Sequence, residues 1–246
     1  MDIADHTYPA RLDGHLDPGL SRWKWLIKWL LVIPHVVVLL FLWVAAVLVT
    51  VVAGVAILFT GLYPRGIFDF NLGVLRWTWR VSFYAFSAFG TDQYPPFTLK
   101  ESPDYPATFT VDYPQHLSRG LVLVNWWLLA IPQYLVVAVF AGGWVLGGNS
   151  GWRSAGGGGL ISLLAVIAGV ILLFRGRYPG DLFALVMGLN RWCYRVLAYA
   201  MLMRDEYPPF RLDNGGTDPD STDTPPPNLP GTVRTQFPDA ANETSV

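Results

Sequence analysis

The chain has 246 residues, of which 52% are hydrophobic and only 14% charged, with 11 Trp, 11 Tyr and 14 Phe. Soluble domains carry about a quarter charged residues, so this composition points to a membrane, where aromatic rings gather at the interface. The net charge of -1 argues against a nucleic-acid partner, and the single cysteine, Cys193, excludes an intrachain disulfide framework and a cysteine-based zinc site.

The chain opens on Met1-Asp2-Ile3-Ala4-Asp5-His6, polar and acidic, and its first apolar run is too long for a signal-peptide core and lacks a small-residue cleavage site. That run is expected to stay in the membrane. Residues 10–13 read as a short extended piece. Residues 25–59 are apolar almost throughout, broken by Lys28, His35 and Thr50. One crossing needs about 20 residues, so the stretch is long for one span and just long enough for two. Tyr63-Pro64-Arg65-Gly66 reads as a turn, since proline suits a turn or a first helical position. Residues 67–89 follow, rich in Trp, Phe and Tyr, with Arg76 and Arg80 one helical turn apart. Two arginines at mid-bilayer depth are costly, so this helix is expected to lie in the headgroup layer. Residues 97–100 and 107–112 are short extended pieces bounded by prolines. Thr108-Phe109-Thr110-Val111 has the best strand composition of them.

The second half says the same again. Residues 121–140 read as one span, 141–159 as a glycine-rich linker, and 160–174 as a second, shorter span. Tyr178-Pro179 makes the turn. Residues 182–203 form the second aromatic helix, with Arg191 and Arg195 repeating the arginine pair, and 210–213 is extended. Tyr8-Pro9-Ala10 answers Tyr105-Pro106-Ala107, Leu20-Ser21-Arg22 answers Leu117-Ser118-Arg119, and Tyr94-Pro95-Pro96-Phe97 answers Tyr207-Pro208-Pro209-Phe210. Such a repeat governs the fold. The first membrane repeat covers 8–100 and the second 105–213. From 214 to 246 the chain is too poor in apolar residues to fold and reads as a disordered tail.

The offset between copies rises from 98, Pro34 to Pro132, to 115, Tyr63 to Tyr178, and the extra length falls in the glycine-rich loop. The first copy is therefore expected to make the same hairpin with a tight turn near 43–46. The fold class is an all-α membrane protein. Four transmembrane helices form two hairpins in a parallel tandem repeat, with interfacial aromatic helices and a small cytoplasmic β-sheet. In that scheme only Arg153 of the basic residues discussed crosses the membrane, so the positive-inside rule sets both termini in the cytoplasm of a multi-pass protein. The even number of spans implies a pseudo-two-fold axis along the membrane normal.

Chemistry is sparse. His6, His15, His35 and His116 show no metal-ligand spacing, and no nucleophile motif, P-loop or dinucleotide fingerprint appears. Neither enzyme activity, nor a metal, nor a cofactor is expected. Arg76, Arg80, Arg191 and Arg195 read as orientation anchors or, more sharply, as a site for anionic lipid headgroups. His35 and Gln133 each follow a proline at equivalent places. They read as satisfying a kink or, alternatively, as a polar intramembrane site at the two-fold axis.

The motifs Tyr-Pro-Ala-Arg-Leu-Asp (8–13), Trp-Leu-Ile-Lys-Trp-Leu-Leu-Val-Ile-Pro-His (25–35), Phe-Thr-Gly-Leu-Tyr-Pro-Arg-Gly-Ile-Phe-Asp-Phe-Asn (59–71) and Tyr-Pro-Pro-Phe (94–97) resemble a bacterial membrane-protein family, domain of unknown function 4389. The second copy is a looser match, keeping the Tyr-Pro turn of Leu173 to Asp181 but losing Asp-Phe-Asn. The resemblance implies an integral, bacterial inner-membrane location and little else, since no activity or ligand is attached to the family. The expected function is a non-enzymatic scaffold or accessory module, in contact with the bilayer, anionic lipids and an unidentified protein partner. The alternative is a small transporter or lipid-binding protein using the repeat interface.

Overall fold

The computed structural model describes residues 9–124, 159–208 and 212–213. In chain order the elements are β1 (Ala10–Gly14), α1 (Lys24–Leu31), α2 (Ile33–Thr60), α3 (Arg65–Ala85), β2 (Ala107–Val111), α4 (Arg119–Val124), α5 (Leu160–Arg175) and α6 (Gly180–Ala200).

The expected hairpin within 25–59 is absent. One continuous helix, α2, runs 28 residues through 43–46, about 42 Å at 1.5 Å per residue. Nothing there could turn the chain, since Trp43-Val44-Ala45-Ala46 has no Gly, Pro or polar group. Pro34 sits in the first turn of α2, where its missing N–H costs little. The reversal comes instead at Gly61, whose φ of 74° is left-handed and whose N–H donates to Ile57 O at 2.7 Å. Pro64 then starts α3 in extended geometry. The second copy repeats the device with Gly176 (φ 67°), closing α5 onto Leu172 O, and with Pro179 before α6. Each hairpin is thus an apolar helix followed by an aromatic one.

Among the described residues α2 is the one helix long and apolar enough to cross a membrane. α5 has 16 residues, about 24 Å, which is short of the roughly 30 Å hydrocarbon layer. Four transmembrane helices in two hairpins are therefore not the architecture. Most of the expected span 121–140, most of the glycine-rich linker, and Gln133 and the tail 214–246 lie outside the described residues.

The aromatic helices are not surface elements with one face laid on lipid; they are packed inside the protein. α3 and α6 are the most buried elements of the fold, with Trp79, Phe83, Arg80, Trp192, Arg195 and Tyr199 all inside. The elements stack in three layers. α3 meets α2 through Asn71, which donates to Thr50 Oγ1 at 2.8 Å, and through Thr78, which accepts from Trp43 Nε1 at 3.1 Å. It meets the sheet through Arg76, Trp79 and Phe83. At 100° per residue these two sets lie about 120° apart around the helix. β1 and β2 pair antiparallel, with Ala10, Leu12, Ala107, Phe109 and Val111 turned inward and Arg11 outward. The order is sheet, then α3 and α6, then α2 and α5.

The register exposes the symmetry. Leu12 pairs with Phe109, its own counterpart in the repeat, so a pseudo-two-fold axis passes through that pair. Trp79 likewise meets its counterpart Tyr194, ring centroids 5.4 Å apart, and Phe83 meets Phe183, so α3 and α6 run antiparallel across the axis. The copies are also exchanged: α3 of the first packs on β2 of the second, and α6 packs on β1. Of the extended pieces expected from sequence, 10–13 and 107–112 become the paired strands, at Ala10–Gly14 and Ala107–Val111. Residues 97–100 are not a strand but run along α3, where Leu99 lies against Gly73.

Candidate membrane interface

The arginine pairs serve the protein itself. Arg76 Nε donates to Phe109 O at 2.8 Å, and Arg191 Nε to Leu12 O at 3.0 Å. These are the two carbonyls of the axial strand pair, so each arginine closes the open edge of a two-stranded sheet, where unpaired carbonyls would invite other strands. Each also meets a carboxylate, Arg76 with Glu101 at 3.5 Å and Arg191 with Asp13 at 3.7 Å. Arg80 is buried and donates to Ser102 Oγ at 2.7 Å and to Thr98 O; Arg195, equally buried, donates to Asp213 O. The four groups that read as orientation anchors or as a headgroup site each give at least one donor to a protein oxygen.

His35 is fully buried. Its Nδ1 accepts from Trp77 Nε1 at 3.0 Å and its ring stacks on Phe97 at 3.9 Å, with Tyr94 at 4.9 Å. All three neighbours belong to the first copy, so His35 sits in an aromatic box on one flank, away from the axial pair. The phenol of Tyr94, donating to Leu31 O at 3.0 Å, answers a carbonyl beside the Pro34 break. Burial pushes the Cys193 thiol up to about 12, which leaves it without thiolate character near neutrality.

α1 is inverted relative to a soluble amphipathic helix. Its single buried residue is Lys28, 1% exposed, while Leu26, Ile27, Trp29, Leu30 and Leu31 face outward. Lys28 Nζ reaches Asp92 Oδ1 at 2.9 Å and Thr91 O at 2.6 Å, and lies 5.0 Å from the centre of the Tyr84 ring. Burial pulls the Lys28 pKa down, against the pull of Asp92. Burial alone would raise that of Asp92. The Ser21 N–H and the Lys28 ammonium outweigh it and hold the carboxyl below its ordinary value. Asp92 was not apparent from sequence as a site residue, yet the repeat marks it. Asp92 and Asp205 both stand two residues before Tyr-Pro-Pro-Phe, and Asp205 accepts from Ser118 N as Asp92 does from Ser21 N.

α2 continues the outward apolar face. Phe41 is 69% exposed and Phe59 73%, with Val44, Leu48, Val51 and Val55 between them on the side away from α3. Only 17% of its most apolar stretch is buried, whereas a core helix of a soluble protein would be mostly covered. α5 adds Leu163, Ile167, Val170 and Phe174. Apolar surface on this scale marks a contact with lipid or with another protein. The opposite face carries Arg11, Asp13 and Asp112 beside an open groove of about 450 Å³ lined by His15, Asp17, Asp104 and Tyr105. Among the described residues no cluster of His, Cys, Asp or Glu could hold a metal ion.

The family model for the domain of unknown function DUF4389 matches residues 22–98 and 158–211, more than half of the chain. The chain belongs to that family. The two matched segments cover the apolar–aromatic hairpin of each copy, which supports the internal repeat and leaves both strands outside the match. No curated protein and no solved structure is detectably similar to the chain.

Proposed function

We propose that the protein is a non-enzymatic membrane module that lies flat in one leaflet, with α1, α2 and α5 in the hydrocarbon and the sheet face in water, where it docks a protein partner. One observation carries this reading: the apolar outer layer and the charged sheet face are on opposite sides of one three-layer stack. The pseudo-two-fold axis is then along the membrane normal, and the helices are parallel to the surface. An upright α2 would turn the axis into the membrane plane. The sheet would then stand near mid-depth, with Arg11, Asp13 and Asp112 against lipid. An open sheet edge and charges at that depth are each strongly disfavoured. The flat placement also sets Lys24 and Arg22 at one end of the α1–α2 rod and Arg65 at the other, all at headgroup level.

The depth of α2 tests this reading. Single cysteines at Val37, Val44 and Val55, which share one face of α2, in a background with Cys193 replaced, carry a fluorophore in vesicles doped with lipids quenched at graded depths. A flat helix gives three equal depths. A middle label deeper than both ends by about 10 Å or more would establish a crossing helix. Three labels inaccessible to every lipid quencher would mean that a second copy covers the face. Passage along the repeat interface has less support, because Trp79, Tyr194, Phe83 and Phe109 fill it with rings.

A further inference from the structure

The two hairpin turns are equivalent in backbone but differ in their side chains. In the first copy, Thr60 closes the turn, donating to Ala56 O at 2.7 Å and accepting from Leu62 N at 3.1 Å. The phenol of Tyr63 is likewise engaged, accepting from Asn71 Nδ2 at 2.9 Å and donating to Met201 O at 3.1 Å. In the second copy Arg175 and Arg177 stand where Thr60 and Leu62 stand in the first, and the hydroxyl of Tyr178 has no partner among the described residues. A third guanidinium arrives from the other copy. Arg22 lies so close to the turn that a Cβ on Gly176 would fall 2.3 Å from its Nη2. Among the described residues none of these three arginines has an ion pair, although Arg76, Arg191 and Arg204 each have a carboxylate. An open cavity of about 610 Å³ lies here, lined by Ile171, Arg175, Arg177, Tyr178 and Pro179. Just along α5 from it, Phe174 is 79% exposed, at the start of the outward apolar face.

We infer that this turn of the second copy binds the phosphate of an anionic phospholipid, whose chains run along the exposed face of α5. The inference rests on the flat placement, which sets the turn at headgroup level. Guanidinium groups fork onto phosphate oxygens, and three of them without internal counter-charge favour an anionic over a zwitterionic headgroup. The apolar wall leading from the cavity selects an amphiphile over a free anion. The first-copy turn has Arg119 beside Gly61, as Arg22 lies beside Gly176, but its Arg65 rests on the Tyr113 ring and its Thr60 and Tyr63 hydroxyls are engaged, so the site is single and the repeat is functionally asymmetric.

The experiment uses the full chain in mild detergent, titrated with phosphatidylglycerol or phosphatidylcholine, with bound lipid read by native mass spectrometry. Each basic residue near an anionic headgroup contributes about 1 kcal/mol, so Arg175→Gln/Arg177→Gln should weaken phosphatidylglycerol retention about thirtyfold. Phosphatidylcholine retention should not change, and Arg65→Gln/Arg119→Gln at the other turn should weaken phosphatidylglycerol retention less than about fivefold, the share of one surface basic residue. Unchanged retention in the first variant, or equal loss in both, would reduce the arginines to general surface charge and overturn the site. Displacement of the lipid by millimolar inorganic phosphate would overturn the choice of an amphiphile. Should the double variant misfold, a photoactivatable phosphatidylglycerol crosslinked to wild type decides the matter. Adducts on 171–179 support the site, and adducts elsewhere refute it. Depth quenching is independent of headgroup charge, so a crossing α2 with selective retention would sink the flat placement alone.

Discussion

α2 and α3 lie side by side, and their burial runs opposite to their composition. α2 is Val, Leu, Ile and Ala almost throughout, yet it presents most of its surface outward. α3 carries Arg76, Arg80, Asn71 and Asp69, yet most of it is inside. In water this arrangement would be unfavourable, since burial of apolar area is the main drive for folding. It becomes reasonable when the solvent on the α2 side is hydrocarbon. The gain from burying Val or Leu between helices then nearly vanishes, and what selects the inner helix is its capacity for hydrogen bonds and ring packing. The middle layer should therefore govern stability, and the outer layer should govern where the protein sits.

The largest effect belongs to Arg80. It is 2% exposed and binds Ser102, Thr98 O and the Arg76 carbonyl. Arg80→Ala removes these donors and leaves buried oxygens unsatisfied, at a cost of about 3 kcal/mol. Denaturant unfolding in detergent reads it. A loss below about 1 kcal/mol would mean that the middle layer does not depend on its polar contacts.

Next come the two glycines that let the chain cross α3 and α6. A Cβ on Gly73 would fall 2.8 Å from Leu99 Cβ and 2.9 Å from Leu99 O; on Gly188 it would fall 2.8 Å from Leu212 Cβ and 3.2 Å from Leu212 O. Backbone oxygens yield little, so Gly73→Ala and Gly188→Ala should each cost about 1–3 kcal/mol. Similar losses at both sites would extend the symmetry from geometry to energetics. A loss at one site only would show that one copy carries the fold.

How much of this was legible varies by residue. The repeat, the Tyr63-Pro64 and Tyr178-Pro179 turns, and the strands at 10–14 and 107–111 were written in spacing and composition. The turn expected at 43–46 was not in those residues at all; it came from transferring the second copy's apparent hairpin onto the first. The arginine pairs were seen, but their partners were not, because Phe109 O, Leu12 O and Thr98 O are backbone atoms that no side-chain pattern reveals. An arginine is costly in hydrocarbon but not inside a protein that offers it carbonyl oxygens, and composition does not tell the two settings apart. Lys28 carried a readable signal, since a lone lysine in an apolar run needs a carboxylate, and Asp92 recurs with Asp205 in the repeat.

A smaller effect comes from that lysine clasp, which ties α1 to the segment after α3. Asp92 has a depressed pKa in the folded protein. Its contribution is therefore fully present above the ordinary carboxylate value of 3.8 and fades as the pH falls through the lower folded value. The thermal midpoint of wild type should drop across that acid range. Asp92→Asn should start lower at neutral pH and lose this part of the slope. An unchanged slope in Asp92→Asn would assign acid sensitivity to other carboxylates.

The smallest effect on stability is expected at the most apolar residues. Phe41, Leu48 and Val55 lie on the exposed side of α2 and pack on little within the protein. Phe41→Ser/Leu48→Ser should leave unfolding in detergent within about 0.5 kcal/mol of wild type, as exposed substitutions do. In a soluble fold, removing two large apolar side chains from the longest helix would cost several times that amount. The same variant should lose vesicle binding in a flotation assay, because each side chain removed gives up its share of apolar area transferred from water, at about 25 cal/mol per Å². Stability and membrane affinity then separate cleanly between the layers. If the variant instead unfolds readily in detergent while still floating with vesicles, the exposed face of α2 is covered by protein in its working state. The contrast between inner and outer helix would then describe half of a larger assembly.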